Sequence, residues 1–355
     1  MKNLTEITIG VDLGDKQNVV CVLDGYGEIQ STFKVANTQQ AMRKSFAKYP
    51  GAFVAIEVGT HSAWVSRLLT DLGCRVVVGN PHKLRFIWQE PMKTDYRDAE
   101  TLARVARIDP KLLHPIKHRN AESQTRLAIL QARDAMIKSR TALINHVRGT
   151  VKSSGERLPK CSAPSFHKKS VEHIPEALKP ALMPLIEEIG HITNQIKKYE
   201  QELSEISRTY YPETEVLQQV SGVGLITALA FILTLEDKNR FYKSRDVGPF
   251  LGLIPKKDQS GDNDKQLSIT KCGDSQLRRL LVGSAQYILG PFGPDSELRR
   301  FGERIAERGG KNAKKRAVVA VARKLAVLLH RLWVTGEEYQ PFYCQKQKEP
   351  IAQAT

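Results

Sequence analysis

Ile7-Thr8-Ile9-Gly10-Val11-Asp12-Leu13-Gly14-Asp15-Lys16-Gln17-Asn18-Val19-Val20-Cys21-Val22-Leu23-Asp24 decides the fold. Ile7, Ile9 and Val11 alternate with small or polar residues, as a strand with one face in a core requires, and Val19 to Leu23 form a β-branched run. The Gly14-Asp15 turn between them predicts a β-hairpin. Working outward, the pattern predicts a third strand from Ile29 to Val35, a helix from Thr38 to Lys48 and a buried strand from Phe53 to Ile56. A helix from His61 to Leu72 and a strand from Arg75 to Val78 follow.

Three strands followed by alternating helix and strand describe a mixed sheet flanked by helices, the plan of the ribonuclease-H-like, or RuvC-like, fold. This α/β part is expected to end near Pro110. The middle of the chain differs in kind and is expected to be all-α. Leu182, Leu185, Ile189, Ile192, Ile196, Tyr199, Leu203 and Ile206 follow each other at alternating three- and four-residue steps, the spacing of a coiled-coil seam. Upstream, Leu130, Ile137, Ile144 and Val151 recur by sevens beside Ile129, Met136 and Leu143, so the segment from about Ala121 reads as the partner helix of a helical hairpin. Gly155 to Ser170, rich in Pro, Ser and Lys, reads as the loop at its tip. Beyond Tyr211, Val220-Ser221-Gly222-Val223-Gly224 before the apolar helix Leu225 to Leu235 reads as a helix-hairpin-helix, in which Gly222 and Gly224 let backbone N–H groups approach a phosphate. The competing reading is a tight turn between packed helices. After Gly290 a Gly/Pro-rich link leads to the basic stretch Lys311 to Arg316 and a last helix to about Trp333, and the tail after Gly336 is expected to be weakly ordered.

The chain has 355 residues, with 54 Lys and Arg against 38 Asp and Glu and a net charge of +16. A folded protein with that excess points to a polyanionic partner, nucleic acid first, through neutralised phosphates and released counterions. Arg126, Arg133 and Arg140 repeat by sevens and, with Lys138, form a candidate nucleic-acid-binding stripe whose plain alternative is a solvated helix face. Cys21, Cys74, Cys161, Cys272 and Cys344 contain no Cys-x-x-Cys pair, which argues against structural zinc. The sequence contains neither a signal pattern nor an apolar run long enough to cross a bilayer, so the expected compartment is the reducing cytoplasm, with the nucleoid as the place of action.

Four acids stand out by context. Asp12 ends the first strand, Glu57 ends the buried strand Val54-Ala55-Ile56, and Asp95 and Asp98 lie in Lys93-Thr94-Asp95-Tyr96-Arg97-Asp98-Ala99. Acids at the ends of neighbouring strands converge, and two acids three apart share a helical face. Such a cluster repels itself unless a hard cation is present. Mg²⁺ (or Mn²⁺) supplies the countercharge and suits phosphodiester cleavage. Singly, each acid also reads as a surface residue or a helix cap. The hairpin around Asp12 shares features with the phosphate loops of actin-like ATPases and sugar kinases. Those, however, place Thr, Ser or Gly after Asp-x-Gly, where this chain has Asp15-Lys16-Gln17, and a carboxylate there would repel nucleotide phosphates.

With these pieces in place, the chain resembles, nearly end to end, the DEDD transposases of the IS-one-ten insertion-sequence family, including its IS-eleven-eleven branch, also described as bridge recombinases. The matching stretches are Gly10-Val11-Asp12, Ala55-Ile56-Glu57, Lys93 to Ala99, Gly222-Val223-Gly224, Leu251-Gly252-Leu253-Ile254-Pro255, Gln259-Ser260-Gly261, and Ile269-Thr270-Lys271-Cys272-Gly273-Asp274 before Leu277-Arg278-Arg279-Leu280-Leu281. The resemblance implies that Asp12, Glu57, Asp95 and Asp98 form a metal site and that a serine of the C-terminal domain attacks DNA. Ser260, in a polar loop, matches the Ser-Gly element, and Ser268 competes with it. Lys271, Arg278 and Arg279 belong to the basic run expected to hold a phosphate. This chain reads Asp258-Gln259-Ser260-Gly261-Asp262, which departs from the commoner pattern of two serines and two glycines. The resemblance further implies donor and target DNA and a structured guide RNA as partners, and a homo-oligomer, dimer to tetramer. The expected domains are 1–110 for the metal-nuclease domain, 111–210 for the coiled-coil hairpin, 211–335 for the transposase domain and 336–355 for the tail. The alternatives are a metal-dependent junction endonuclease that uses water, and a non-catalytic nucleic-acid-binding scaffold.

Overall fold

A computed structural model describes residues 6–80, 94–260 and 263–342, and the side chains of 257–266 lie outside that description. The chain divides into two compact units, 1–120 and 121–355.

The first unit carries a sheet of order β3-β2-β1-β4-β5, built from β1 (Thr8–Asp12), β2 (Gln17–Leu23), β3 (Ile29–Ala36), β4 (Phe53–Glu57) and β5 (Arg75–Gly79). β1 and β2 pair antiparallel, as do β2 and β3, whereas β4 lies parallel to both β1 and β5. The sheet is therefore mixed, as the strand pattern predicts. β1 is buried along nearly its whole length because helices cover both of its faces. On one face Ile9, Val11, Val54 and Ile56 pack against Met42 and Phe46 of α1 (Gln39–Phe46) and Val65 and Leu69 of α2 (Ser62–Asp71). The other face is made of small residues, which lets α3 (Asp95–Ile108) lie close. A Cβ on Gly10 would stand 1.9 Å from the Ala99 carbonyl oxygen and 2.6 Å from the Ala103 amide nitrogen. The unit runs past Pro110 because β5 continues to bind the chain there: Val78 bridges to Ile116, and the Asn80 amide donates to the Leu113 carbonyl at 2.9 Å.

The second unit opens with two long helices, α4 (Ala121–Ser153) and α6 (Lys179–Tyr210). They run antiparallel, with Arg126 beside Tyr211, Arg133 beside Glu200 and Arg140 beside Thr193. Leu182, Ile189, Ile192, Ile196, Leu203 and Ile206 are buried, as the spacing predicts. The loop at the tip is packed: Phe166, on the short α5 (Phe166–Lys169), is buried with Leu158, Ile174, Leu182 and Ile186. The base of the hairpin is continuous with the C-terminal core, where Leu127, Leu130, Leu203 and Ile206 join α8 (Leu225–Leu235), which follows the short α7 (Thr214–Gln218). α8 is apolar all round because it is enclosed on every side.

The remaining elements are α9 (Val247–Phe250), the hairpin β6 (Pro255–Ser260) and β7 (Asn263–Ile269), α10 (Ser275–Leu289), α11 (Glu297–Glu307) and α12 (Ala313–Thr335). α11 occupies what reads in the sequence as a link after Gly290. From Gly336 to Phe342 the chain is held, since the Tyr339 amide donates to Gln219 and the Pro341 carbonyl accepts from the Glu297 amide; the rest of the expected tail lies outside the described residues.

Candidate active site

Parallel pairing of β1 with β4 aligns Val11 with Ile56. One residue further on, the same register sets Asp12 beside Glu57 on strands about 4.8 Å apart. Alternation puts Asp12 on the face of Gly10 and Glu57 on the face of Ala55. Both faces look toward α3, since Gly10 meets Ala99 and Ala103, and Ala55 packs with Leu102, Val105 and Ala106. α3 runs opposite to β1. At its C-terminal end Arg107 reaches the carbonyls of Glu6 and Asp24, at the start of β1 and the end of β2. Its first turn, with Asp95 and Asp98, therefore lies at the carboxyl edge of β1 and β4, where Asp12 and Glu57 stand.

Thr94 fixes that first turn by accepting from the Arg97 amide at 3.3 Å, and carboxylates placed there also favour the positive end of the helix. Asp98 is only 7% exposed, while Asp95 is exposed. Fold and register thus bring all four positions to one edge. Among the described residues, however, no three His, Cys, Asp or Glu side chains lie close enough together to cage a metal ion. The donors are all hard carboxylate oxygens, a set that fits Mg²⁺ or Mn²⁺ and not zinc.

The same edge carries a pair that the sequence reading passes over. His61, after β4, lies 3.6 Å from the Asp15 carboxylate in the β1–β2 turn and accepts at Nδ1 from the Trp64 indole N–H at 3.2 Å. The available signal is position: both follow the carboxyl ends of central strands.

In the second unit Ser260 ends β6 and pairs with Asn263 of β7, so it belongs to a β-hairpin and not to an irregular loop. Ser268 lies exposed on β7. The base of this hairpin is locked by glycines. Gly252 (φ +65°) and Gly273 (φ +72°) are in the left-handed region, and a Cβ on them would stand 2.3 Å from the Cys272 nitrogen and 2.2 Å from the Phe250 carbonyl oxygen. Arg278 donates to the carbonyls of Leu251, Cys272 and Gly273. These contacts, all from Nη1, make Arg278 a clamp on the hairpin base. Lys271 is exposed beside it. Arg279 and Lys138 share the Asp134 carboxylate, both at 2.8 Å.

The arginine stripe lies along the α4–α6 seam, whereas Lys138 is exposed. Arg140 is 8% exposed in the α4–α6 seam, bonded to Thr193 Oγ1 at 3.3 Å, with its Nε unsatisfied, and burial pulls its pKa down. Arg133 pairs with Glu200 on α6, and Arg126 donates to the Tyr211 hydroxyl and stacks 3.9 Å over the Tyr210 ring. Gly222, at φ +86°, packs against Ser284 and Tyr287, whereas Gly224 faces open space. The packed-turn reading therefore fits Gly222.

Asp12 and Glu57 thus end neighbouring parallel strands of a mixed sheet, Asp95 and Asp98 open α3, and a helical unit follows in the same chain. A DEDD transposase family model for IS110 matches residues 9–155, and a model described as the transposase IS116/IS110/IS902 family matches residues 214–301. The chain belongs to this IS110 (IS-one-ten) family and is an enzyme of the transposase class. It is 27% identical to the transposase for insertion sequence element IS1111A of Coxiella burnetii, over 94% of this chain and 91% of that protein. It is 28% identical to the transposase for insertion sequence element IS1328 of Yersinia enterocolitica, over 81% of this chain and 84% of that one. A pilin gene-inverting protein of Moraxella bovis is 24% identical over 66% of this chain and 64% of its own. No helix among the described residues is long and apolar enough to cross a membrane.

Proposed function

We propose that the chain is a divalent-metal-dependent DNA recombinase, guided by a structured RNA and working as a dimer or tetramer, that cuts and rejoins donor and target DNA through a phosphoserine link. The observation that supports it is the common edge shared by Asp12, Glu57, Asp95 and Asp98. These carboxylates would hold Mg²⁺ or Mn²⁺, which when bound supplies countercharge to the attacking and leaving oxygens.

Ser260 is the proposed nucleophile. Its Oγ forms a bond to phosphorus as the strand's P–O bond breaks. The serine proton passes to a base, and the leaving oxygen departs as a hydroxyl end. A hydroxyl of another strand then displaces the serine, so the number of phosphodiester bonds is conserved and no external energy source is needed. A serine hydroxyl is a weak nucleophile at its own pKa and needs such activation. The alternative is hydrolysis by water. It draws support from the position of Ser260 at the end of a hairpin strand, a place serine also takes for structural reasons.

The test incubates protein, the transcript flanking its gene and donor DNA with Mg²⁺, denatures the mixture, and looks for protein joined to labelled DNA. The expected adduct disappears in Ser260→Ala and in Asp12→Ala and persists in Ser268→Ala. Cleavage without an adduct would overturn the serine step in favour of hydrolysis. No cleavage by wild type together with full binding by Asp12→Ala would leave only a scaffold.

A further inference from the structure

Tyr242 is 95% exposed, the most exposed of the large hydrophobic side chains among the described residues. It does not sit on a loose loop. The segment Lys238–Arg240, a short 3-10 turn, leads through Phe241 and Tyr242 to a second short turn, Ser244–Asp246. Both turns are tied to one buried side chain of α12. His330 Nε2 lies 3.0 Å from the Lys238 carbonyl and Nδ1 lies 2.9 Å from Ser244 Oγ. A carbonyl can only accept, so Nε2 carries the proton and Nδ1 accepts from the serine hydroxyl. Burial holds the His330 pKa below its usual range, which keeps this neutral form in place. Between the two ties Phe241 packs edge-on against Phe250 and His330, with centroids at 5.2 and 5.6 Å. The fixed backbone seats Phe241 against the core and holds the Tyr242 ring outside it. It also removes in advance the ordering cost of binding a partner.

The surroundings narrow the class of partner. Lys238, Lys243 and Arg245 are exposed within four residues of Tyr242 along the chain, and the Lys243 ammonium stands 5.8 Å from its ring centroid. Asp237 turns its carboxylate back onto the Asn239 amide. Cores of protein–protein interfaces are depleted in lysine, whereas single-stranded nucleic-acid sites combine aromatic stacking platforms with cations that track phosphates.

We propose that Tyr242 is a stacking platform for an unpaired nucleobase, with Lys238, Lys243 and Arg245 gripping the adjoining phosphates. The proposal rests on the nucleic-acid reading above and extends it to a single-stranded segment of DNA or RNA. The test measures binding of the full-length protein to short single-stranded DNA, single-stranded RNA, a duplex of the same length and an abasic strand. Tyr242→Ala is expected to weaken binding to one or both single strands roughly 5- to 100-fold and to leave duplex and abasic binding unchanged. The DNA and RNA arms tell which strand is read. Tyr242→Trp is expected to restore affinity and to add an indole emission that the bound strand quenches. Equal binding by Tyr242→Ala on every probe, an equal loss on every probe, or a changed oligomeric state in sedimentation would each overturn the proposal. Adduct formation in the strand-exchange assay is scored separately. A missing adduct with a base-dependent Tyr242 effect therefore sinks only the recombinase reading, and an adduct with a neutral Tyr242→Ala sinks only this one.

Discussion

Two rows of charge in this molecule met opposite fates. The acids of the first unit are scattered over more than eighty residues of sequence, yet strand register and the close seat of α3 deliver them to one edge of one sheet. The arginines of α4 are evenly spaced and read as an open stripe, but the seam of the helical hairpin takes them in. The difference lies in the period. A seven-residue repeat keeps a row on one face of a long helix, and Arg126, Arg133 and Arg140 interleave at four- and three-residue steps with Leu130, Ile137 and Ile144, so they fall on the face turned to the partner helix, apolar or not. Acids at strand ends obey a different rule: a strand end is where a side chain escapes the core, and parallel neighbours escape at the same edge. A charge is therefore free for function according to its place in the element, whatever the regularity of the pattern it belongs to.

The largest effect is expected at the contact that assembles the acid edge. Gly10→Val puts a branched side chain into the backbone of Ala99 and Ala103, and the contact atoms are not flexible side-chain ends that can yield. Destabilisation by roughly 3 kcal/mol or more is expected, with cleavage lost as Asp98 is carried away from Asp12 and Glu57. Gly59→Ala is the control. It follows β4 with nothing near its Cβ and is expected to shift stability by less than about 0.5 kcal/mol. Urea titrations of both variants make the comparison, and a Gly10→Val protein as stable as wild type would mean that α3 does not lie on β1.

A smaller effect, of opposite sign, is expected in the arginine row. Arg140 is buried with an unsatisfied Nε and faces Thr193, with no carboxylate in contact among the described residues. Replacing a poorly paired buried ion by an apolar chain of similar length is often neutral or stabilising. Arg140→Met is therefore expected to raise the urea midpoint, by the equivalent of about 1 kcal/mol, at unchanged slope and with unchanged nucleic-acid affinity. Lost affinity at unchanged stability would restore the open stripe.

What was legible in the sequence divides along the same line. β1 to β5, α1 and α2 follow from alternation and apolar periodicity because this part of the first unit is built of local patterns, each long enough to show its period, whereas the length of α3 does not. The four acids could be named because each lies next to such an element. The register that sets Asp12 beside Glu57 was not visible, since it depends on a pairing more than forty residues apart. In the second unit the β6–β7 hairpin escaped notice because Lys256, Lys257, Asp258 and Gln259 carry no apolar alternation: the strands are fixed at their base by Gly252, Gly273 and Arg278. Phe166 gave no signal as a core residue, because one aromatic in a Pro/Ser/Lys-rich stretch has no period at all. The tie between His330 and the Tyr242 loop joins residues nearly ninety apart and could only be seen folded.

The finest test of the contrast is the one ion pair that crosses the hairpin from the arginine row. Arg133 donates to Glu200 through Nε at 3.1 Å and Nη2 at 2.5 Å, onto a single carboxylate oxygen and with the glutamate nearly half exposed. Such a pair gains modest Coulomb energy in water, loses part of it to side-chain ordering, and is screened by salt. A double-mutant cycle with Arg133→Gln and Glu200→Gln is expected to give a coupling of about 0.5 kcal/mol that shrinks in high salt. A coupling above about 2 kcal/mol, insensitive to salt, would mean that the pair is shielded like Arg140. The seam would then bury its charges along its whole length, and nothing of the row would be left at the surface for a phosphate to meet.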